Sequence, residues 1–199
     1  MIQFKPGKYR RRILLLWRGF GIGLALLILY IAAVNYNFFW LFGGMPDLKA
    51  LENPKSEIAS DLISQDGKSI GKYLIENRSP VEISQISPNL INALLATEDT
   101  RFISHSGIDP RSLLRVAKGL MTGSTSSGGG STLTQQVAKN LFNTRSEEYE
   151  GTLGKIPVVR IVIAKTKEWI LSITLERKYT KQEIMQMYLN TVSLGNNAY

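Results

Sequence analysis

Three places in the sequence set carboxylates, hydroxyls, amides and cations at spacings that suit catalysis. The first is Glu98-Asp99, followed by Phe102, His105 and Gly107. A helix opening after Ser87 would end near Glu98–Asp99, which puts an acid at the negative end of the helix dipole. If partly buried as well, such a carboxylate suits a general base or acid. The plainer alternative is a solvated helix-end acid, with His105 as a structural hydrogen-bonding residue. The second place is Gly129-Gly130-Ser131-Thr132-Leu133-Thr134-Gln135-Gln136, with Lys139 and Asn140 one to two turns farther on. It reads as a loop delivering hydroxyls and amides onto a helix N-terminus, where backbone N–H groups suit an anion. An ordinary Gly/Ser loop before a capped helix would have the same composition. The third is Glu168, with Lys165 at i−3 and Ser172 at i+4 on one helical face. Taken alone, a surface ion pair of this kind contributes little and explains nothing further.

The punctuation between these strings describes the elements that would carry them. Ser87 then Pro88 reads as an N-cap and first-turn proline, and Leu90, Ile91, Leu94 and Leu95 mark one apolar face. Asp109–Pro110 repeats the start signal. Leu113, Leu114, Ala117 and Leu120 form the stripe expected to be buried, and Gly123 is the stop. Ser131 is the expected cap of a third helix reaching about Phe142, and a long helix is expected from about Val158 to Tyr179. Thr180-Lys181-Gln182-Glu183 is a capping box, opening a last helix with Ile184, Met187 and Tyr188 at helical spacing and Gly195 beyond its end. Upstream, Leu62, Ile63, Ile70, Tyr73, Leu74 and Ile75 flank an Asp66–Gly67 turn signal, a small β element expected over 61–81. The fold class is mainly α with one small β piece.

The 199 residues have room for one membrane segment and one modest domain. The formal charge is +8, but Lys5, Lys8, Arg10, Arg11, Arg12 and Arg18 all precede the first acid, Asp47. The rest is nearly balanced, with 18 basic against 16 acidic residues. The basicity therefore belongs to a tail over 1–18, and no nucleic-acid partner is expected. Without cysteine there are no disulfides or thiolate metal sites, and the single histidine cannot build a zinc site alone. No charge falls between Arg18 and Asp47, and 19–42 supplies the ~20 apolar residues that a bilayer core of ~30 Å requires. Tyr30, Tyr36, Phe38, Phe39, Trp40 and Phe42 gather at one end and Trp17 near the other, as interfacial belts do. The basic cluster places the N-terminus in the cytoplasm. A cleaved signal peptide fits less well, because Ala32–Ala33 leads into bulky residues instead of a small-residue cleavage site. A polar linker over 43–60, broken by Pro46 and Pro54, follows the membrane helix.

Together these strings resemble the family-51 glycosyltransferase domain of peptidoglycan synthases, in particular that of class A penicillin-binding proteins. Four of the family's five motifs are present. They are the Glu98–Gly107 string; Gly129–Gln136 continuing to Lys139-Asn140-Leu141-Phe142; Lys165-Thr166-Lys167-Glu168; and Lys181-Gln182-Glu183-Ile184 with Tyr188-Leu189-Asn190 and Gly195. The resemblance covers about Pro80 to Tyr199. It implies a lysozyme-like, mainly α domain over 82–199, held outside the cytoplasmic (inner) membrane by a single-pass anchor. It also implies polymerisation of lipid II: a glycan held as a lipid pyrophosphate is transferred to the acceptor's 4-hydroxyl, with inversion.

The same resemblance implies the roles. Glu98 is the general base. Glu168 assists at the donor site through a divalent ion, Mg²⁺ or Mn²⁺, or a water on the pyrophosphate, and is the one residue with a possible metal role. Lys139 and Arg145 offset phosphate charge; Ser131, Thr132, Gln135, Gln136 and Asn140 position the donor; Lys165 of the third motif belongs to the substrate-binding set; Asp99, Phe102 and His105 shape the base's surroundings. The expected partners are lipid II, the growing lipid-linked glycan, the membrane and other cell-wall synthesis proteins, and no organic cofactor is expected.

Two departures from the family pattern bear on activity. Ala164 stands where the family usually has an arginine before the motif lysine, which leaves Arg160 or Arg145 to supply that cation. The chain also stops at Tyr199, before the fifth motif and any transpeptidase domain, so a partial domain is expected. Two other functions follow from these facts: an inactive anchored fragment that binds precursor or a partner, and a lysozyme-like lytic enzyme. Retained Glu98 and Glu168 argue against a long-standing loss of catalysis but not against a recent truncation. The Gln-Gln-x-x-Lys-Asn string and the anchor argue against the second.

Overall fold

The structure is a computed structural model that describes residues 9–48, 60–73, 81–123 and 129–192. Lys5, Lys8, Pro54, Leu74, Ile75 and Gly195, which carried sequence expectations, lie outside these residues. Helix α1 is Arg10–Asn35. At 1.5 Å per residue it is about 39 Å long, more than a bilayer core requires. It is long and apolar enough to cross a membrane, and Leu16, Trp17, Phe20, Ile22 and Leu29 are exposed along it, a surface suited to lipid.

The helix does not run over 19–42 as expected. It starts earlier because backbone hydrogen bonding continues through the arginines, which hydropathy treats as outside. It ends earlier because Asn37, Phe39 and Trp40 adopt left-handed backbone conformations, at φ 46°, 51° and 59°. The aromatic run Phe38–Trp40 is a short 3-10 turn. Apolar content made these residues look continuous with the helix, but it says nothing about where the backbone turns.

Strands β1 (Ser60–Ile63) and β2 (Ser69–Tyr73) form an antiparallel pair, joined by a turn in which Gly67 takes φ 77°. The Ser64 hydroxyl supports that turn by bonding Asp66 and the Lys68 carbonyl.

The helical domain comprises α2 (Pro88–Glu98), α3 (Pro110–Thr122), α4 (Leu133–Leu141), α5 (Pro157–Lys178) and α6 (Lys181–Thr191). Four of the five helix starts fall as expected, that of α5 at Pro157, one residue before the expected Val158. Pro88 opens α2. Asp109 accepts from the Arg111 amide ahead of Pro110. The reciprocal Thr180–Glu183 box opens α6. The cap of α4 is Thr132, not Ser131: the Thr132 hydroxyl accepts the Gln135 amide at 3.2 Å, while Ser131 is engaged by a lysine described below.

The core lies where α4, α5 and α6 meet. It gathers Phe102, Leu133, Val137, Phe142, Leu171, Leu175, Ile184 and Tyr188, with Ile91, Leu94 and Leu95 of α2 packed against it. The stripe on α3 does not join it. Leu114 and Leu120 are 70% and 78% exposed, Ala117 is exposed, Leu113 is half-buried, and only Gly119 of this helix is buried. Amphipathic spacing predicts that one face of α3 needs an apolar environment, and here that environment is not the domain's own core.

Candidate functional site

The end of α2 and the start of α4 face each other across an open cleft of about 460 Å³, walled by Glu98, Ser112, Arg115, Gly129, Ser131 and Gln136 among others. Glu98 is exposed there. Among the described residues its one side-chain hydrogen bond comes from the Gln136 amide, 2.9 Å from Oε2. It also raises the pKa of the Tyr188 phenol, second to the effect of burial.

The residues around Glu98 fix its position. Asp99 is buried, and its Oδ2 accepts from His105 Nε2 at 2.9 Å and from the Leu133 amide at 3.0 Å. His105 Nδ1 accepts the Gly107 amide at 3.2 Å, so the ring proton sits on Nε2 and points at Asp99. The Gly107 carbonyl then accepts from Thr132 Oγ1 at 2.7 Å and Gln135 Nε2 at 3.0 Å. Gly107 itself takes φ 89°, and a Cβ there would lie 2.8 Å from the Ser172 carbonyl of α5. The first two sequence motifs are thus one hydrogen-bonded unit seated on α5. Phe102 is a core residue at 1% exposure, with the Lys181 ammonium 4.4 Å from its ring centre. Asp99, His105, Thr132 and Gln135 bond within the protein and act on Glu98 by holding its surroundings.

A second centre lies on α5. Glu168 is fully buried, and each carboxylate oxygen faces a cation. Arg145 Nε donates to Oε1 at 3.1 Å, and Lys165 Nζ donates to Oε2 at 2.5 Å. Lys165 also donates to Ser131 Oγ at 2.9 Å, and Ser131 lines the Glu98 cleft. Ser131 therefore touches both centres. Glu168 holds two partly exposed cations, and one of them, Lys165, also reaches Ser131 at that junction.

Ala164 is buried beside this centre. Of the two arginines expected to take over its family role, Arg145 reaches Glu168. Arg160 instead donates to the Arg145 carbonyl at 2.9 Å and pairs with Glu150 at 3.6 Å. Lys139 and Asn140 lie one turn past Gln136 on α4 without a side-chain hydrogen bond among the described residues, and outside the walls of the Glu98 cleft.

Glu168 does not fit the metal role expected of it. Both its oxygens are bonded to cations, it has no contact with solvent, and among the described residues no three His, Asp or Glu side chains are grouped to hold an ion.

Sequence reasoning missed Arg101, Ser112 and Arg115. Arg101 grips Asp109 Oδ2 through Nε at 2.9 Å and also bonds Ser112. Burial alone would raise the Asp109 pKa, but the Arg101 and Ser112 hydrogen bonds hold it well below the usual carboxylate range. Arg115 borders the cleft and donates to the Gly129 carbonyl at 3.1 Å. No motif marks these residues, and only the placement of α3 against the loop reveals them. Asn190, in the fourth motif, clamps the Val81 backbone with two 2.9 Å bonds.

Residues 66–199 match the transglycosylase family. Penicillin-binding protein 1A of Aquifex aeolicus is 40% identical over 159 residues, 80% of this chain and 20% of that protein. The protein of the same name from Escherichia coli is 36% identical over 155 residues, 78% of this chain and 17% of that protein. That of Pseudomonas aeruginosa is 35% identical over 162 residues, 81% and 18%. The chain thus spans about a fifth of the length of the curated relatives it matches.

Proposed function

The chain belongs to the transglycosylase family, and on that premise we propose that it is a peptidoglycan glycosyltransferase that extends glycan strands from lipid II. The observation that carries the proposal is the pairing of an exposed, singly bonded carboxylate with a neighbouring buried carboxylate that holds two cations, linked through Ser131. Glu98 takes the proton of the acceptor 4-hydroxyl as that oxygen bonds to the donor's anomeric carbon. The bond from that carbon to the lipid pyrophosphate breaks, and the electron pair leaves with the phosphate. Lys165 and Arg145, preoriented by Glu168, offset the charge that grows there. Lys139 and Asn140 are available to extend this cationic and polar lining. A divalent ion, if the reaction uses one, would have to be held by the pyrophosphate oxygens, and no step here depends on it.

Helix α1 is proposed to anchor the chain in the cytoplasmic membrane, with Arg10–Arg12 inside and the domain outside. Its benefit is local concentration, because a substrate with a long lipid tail shares the same two-dimensional phase. The test is incubation of the detergent-solubilised chain and its Glu98→Gln variant with fluorescent lipid II, read on a gel. Polymer from the parent chain alone supports the proposal. Equal polymer from both removes Glu98 from the base role, and release of short fragments from preformed glycan would favour lytic chemistry.

A further inference from the structure

Beside Glu168, on the same turn of α5, Lys167 is 1% exposed and has no carboxylate partner among the described residues. Its ammonium donates instead to two carbonyls, those of Gly44 and Tyr149, each at 2.8 Å. Gly44 lies just past the exit of the membrane helix. Tyr149 lies four residues after Arg145, on the loop that supplies a guanidinium to Glu168.

These two segments are already pressed together. Gly43 takes φ 74°, and a Cβ on it would collide with the Tyr149 carbonyl; a Cβ on Gly151 would collide with the Gly43 amide. The Leu153 amide donates to the Leu41 carbonyl at 3.0 Å. Toward the end of α1, the Tyr30 hydroxyl meets Thr166 Oγ1 at 3.0 Å, and the Tyr30 ring meets Phe42 edge-on. Arg160 holds the other end of the loop through the Arg145 carbonyl.

A buried ammonium bound only by neutral carbonyls is costly to maintain, and burial lowers the Lys167 pKa to about 8. An apolar residue could fill the space at lower electrostatic cost, but it would leave both carbonyls without a donor.

We propose that Lys167 is a positioning residue for the donor-side centre, clamping the membrane exit to the Arg145 loop so that the guanidinium meets Glu168 in a fixed place relative to the anchor. The inference rests on the glycosyltransferase reading for its consequence but not for its geometry. Adjacent residues on α5 then divide the work. Glu168 holds the cations, and Lys167, about 100° around the helix, holds the backbone that delivers one of them.

The experiment uses the full chain in detergent micelles, comparing the parent with Lys167→Met, Lys167→Gln, Arg145→Ala and the Lys167→Met/Arg145→Ala double variant. Two quantities are read: turnover of fluorescent lipid II, and backbone hydrogen exchange over residues 38–44 and 143–156. Lys167→Met is expected to lower turnover by about tenfold or more at unchanged KM, as expected when a catalytic group is displaced by a fraction of an ångström. Exchange is expected to rise in both segments together. In the Arg145→Ala background the same substitution should cost no more than about twofold, because the residue it positions is gone. Lys167→Gln, whose amide still donates, should fall between, and it carries the test if the Met variant does not fold. Losses that multiply in the double variant would overturn the proposal, as would unchanged exchange over 143–156. If the parent chain makes no polymer while exchange in the variants rises as expected, the glycosyltransferase reading fails and the clamp is upheld.

Discussion

The two carboxylates differ in almost every physical respect. Glu98 is exposed at the end of a helix, borders an open cleft and, among the described residues, has one neutral partner. Glu168 is buried within a helix, and both its oxygens are bonded to cations. A group that must accept a proton in each turnover needs an oxygen that substrate can reach, and Glu98 keeps one. A group that must hold cations in place needs the opposite: no water to compete and no oxygen to spare. The same side chain serves two roles because one is set at a rim and the other in the protein interior.

That contrast is broken most directly by removing charge from each carboxylate in turn. Glu98→Gln should reduce polymerisation by about 10²–10⁴-fold, the usual worth of a general base, and leave the thermal midpoint essentially unchanged. Glu168→Gln should lower activity and stability together. The expected cost is about 2–3 kcal/mol in a denaturant titration, discounted from that of a fully buried pair because Lys165 and Arg145 reach solvent. If Glu168→Gln left stability intact, the picture of a buried anchor for two cations would be wrong.

Smaller changes sharpen the comparison. Gly107→Ala should destabilise by about 2–3 kcal/mol, through its left-handed backbone and its contact with α5, and should loosen the whole Glu98 surround. Gln136→Ala removes the amide that bonds Glu98. It should cost about 0.5–1.5 kcal/mol of transition-state stabilisation, measurable as a several-fold fall in kcat/KM.

A further effect concerns pH. Lys167 has a folded pKa of about 8 against 10.5 in the unfolded chain, so the unfolded state binds more protons between those values. The contribution of this group to stability therefore rises as pH climbs through that window. Thermal midpoints at pH 8 and pH 10 should show the rise in the parent chain, and it should flatten in Lys167→Met.

Local chemistry made much of the fold readable. Asp109 and the Thr180–Glu183 box start helices through hydrogen bonds within three residues of themselves, so their effect does not depend on the rest of the chain. The long α5 starts at Pro157, whose ring presets the first-turn backbone angle and leaves no orphan amide there. The α4 cap shifted by one residue because Lys165, 34 positions away, takes the Ser131 hydroxyl. The outward face of α3 was misjudged because periodicity marks an apolar stripe without naming what covers it.

What the sequence determined by itself is the set of short-range facts: the apolar helix near the N-terminus, the helix starts, and the strings that bear Glu98, Ser131 and Glu168. Each follows from residues a few positions apart. The tertiary structure decided which of those residues stay available. It tied Asp99, His105, Thr132 and Gln135 into one unit through Gly107, left Glu98 bonded to one amide among the described residues, and closed Glu168 between two cations. It also set Lys167 between two carbonyls more than a hundred residues apart in the chain. Burial and hydrogen-bond satisfaction are properties of the packed molecule, since a donor's partner is chosen by what the fold brings within about 3 Å, and no spacing along the chain encodes that choice.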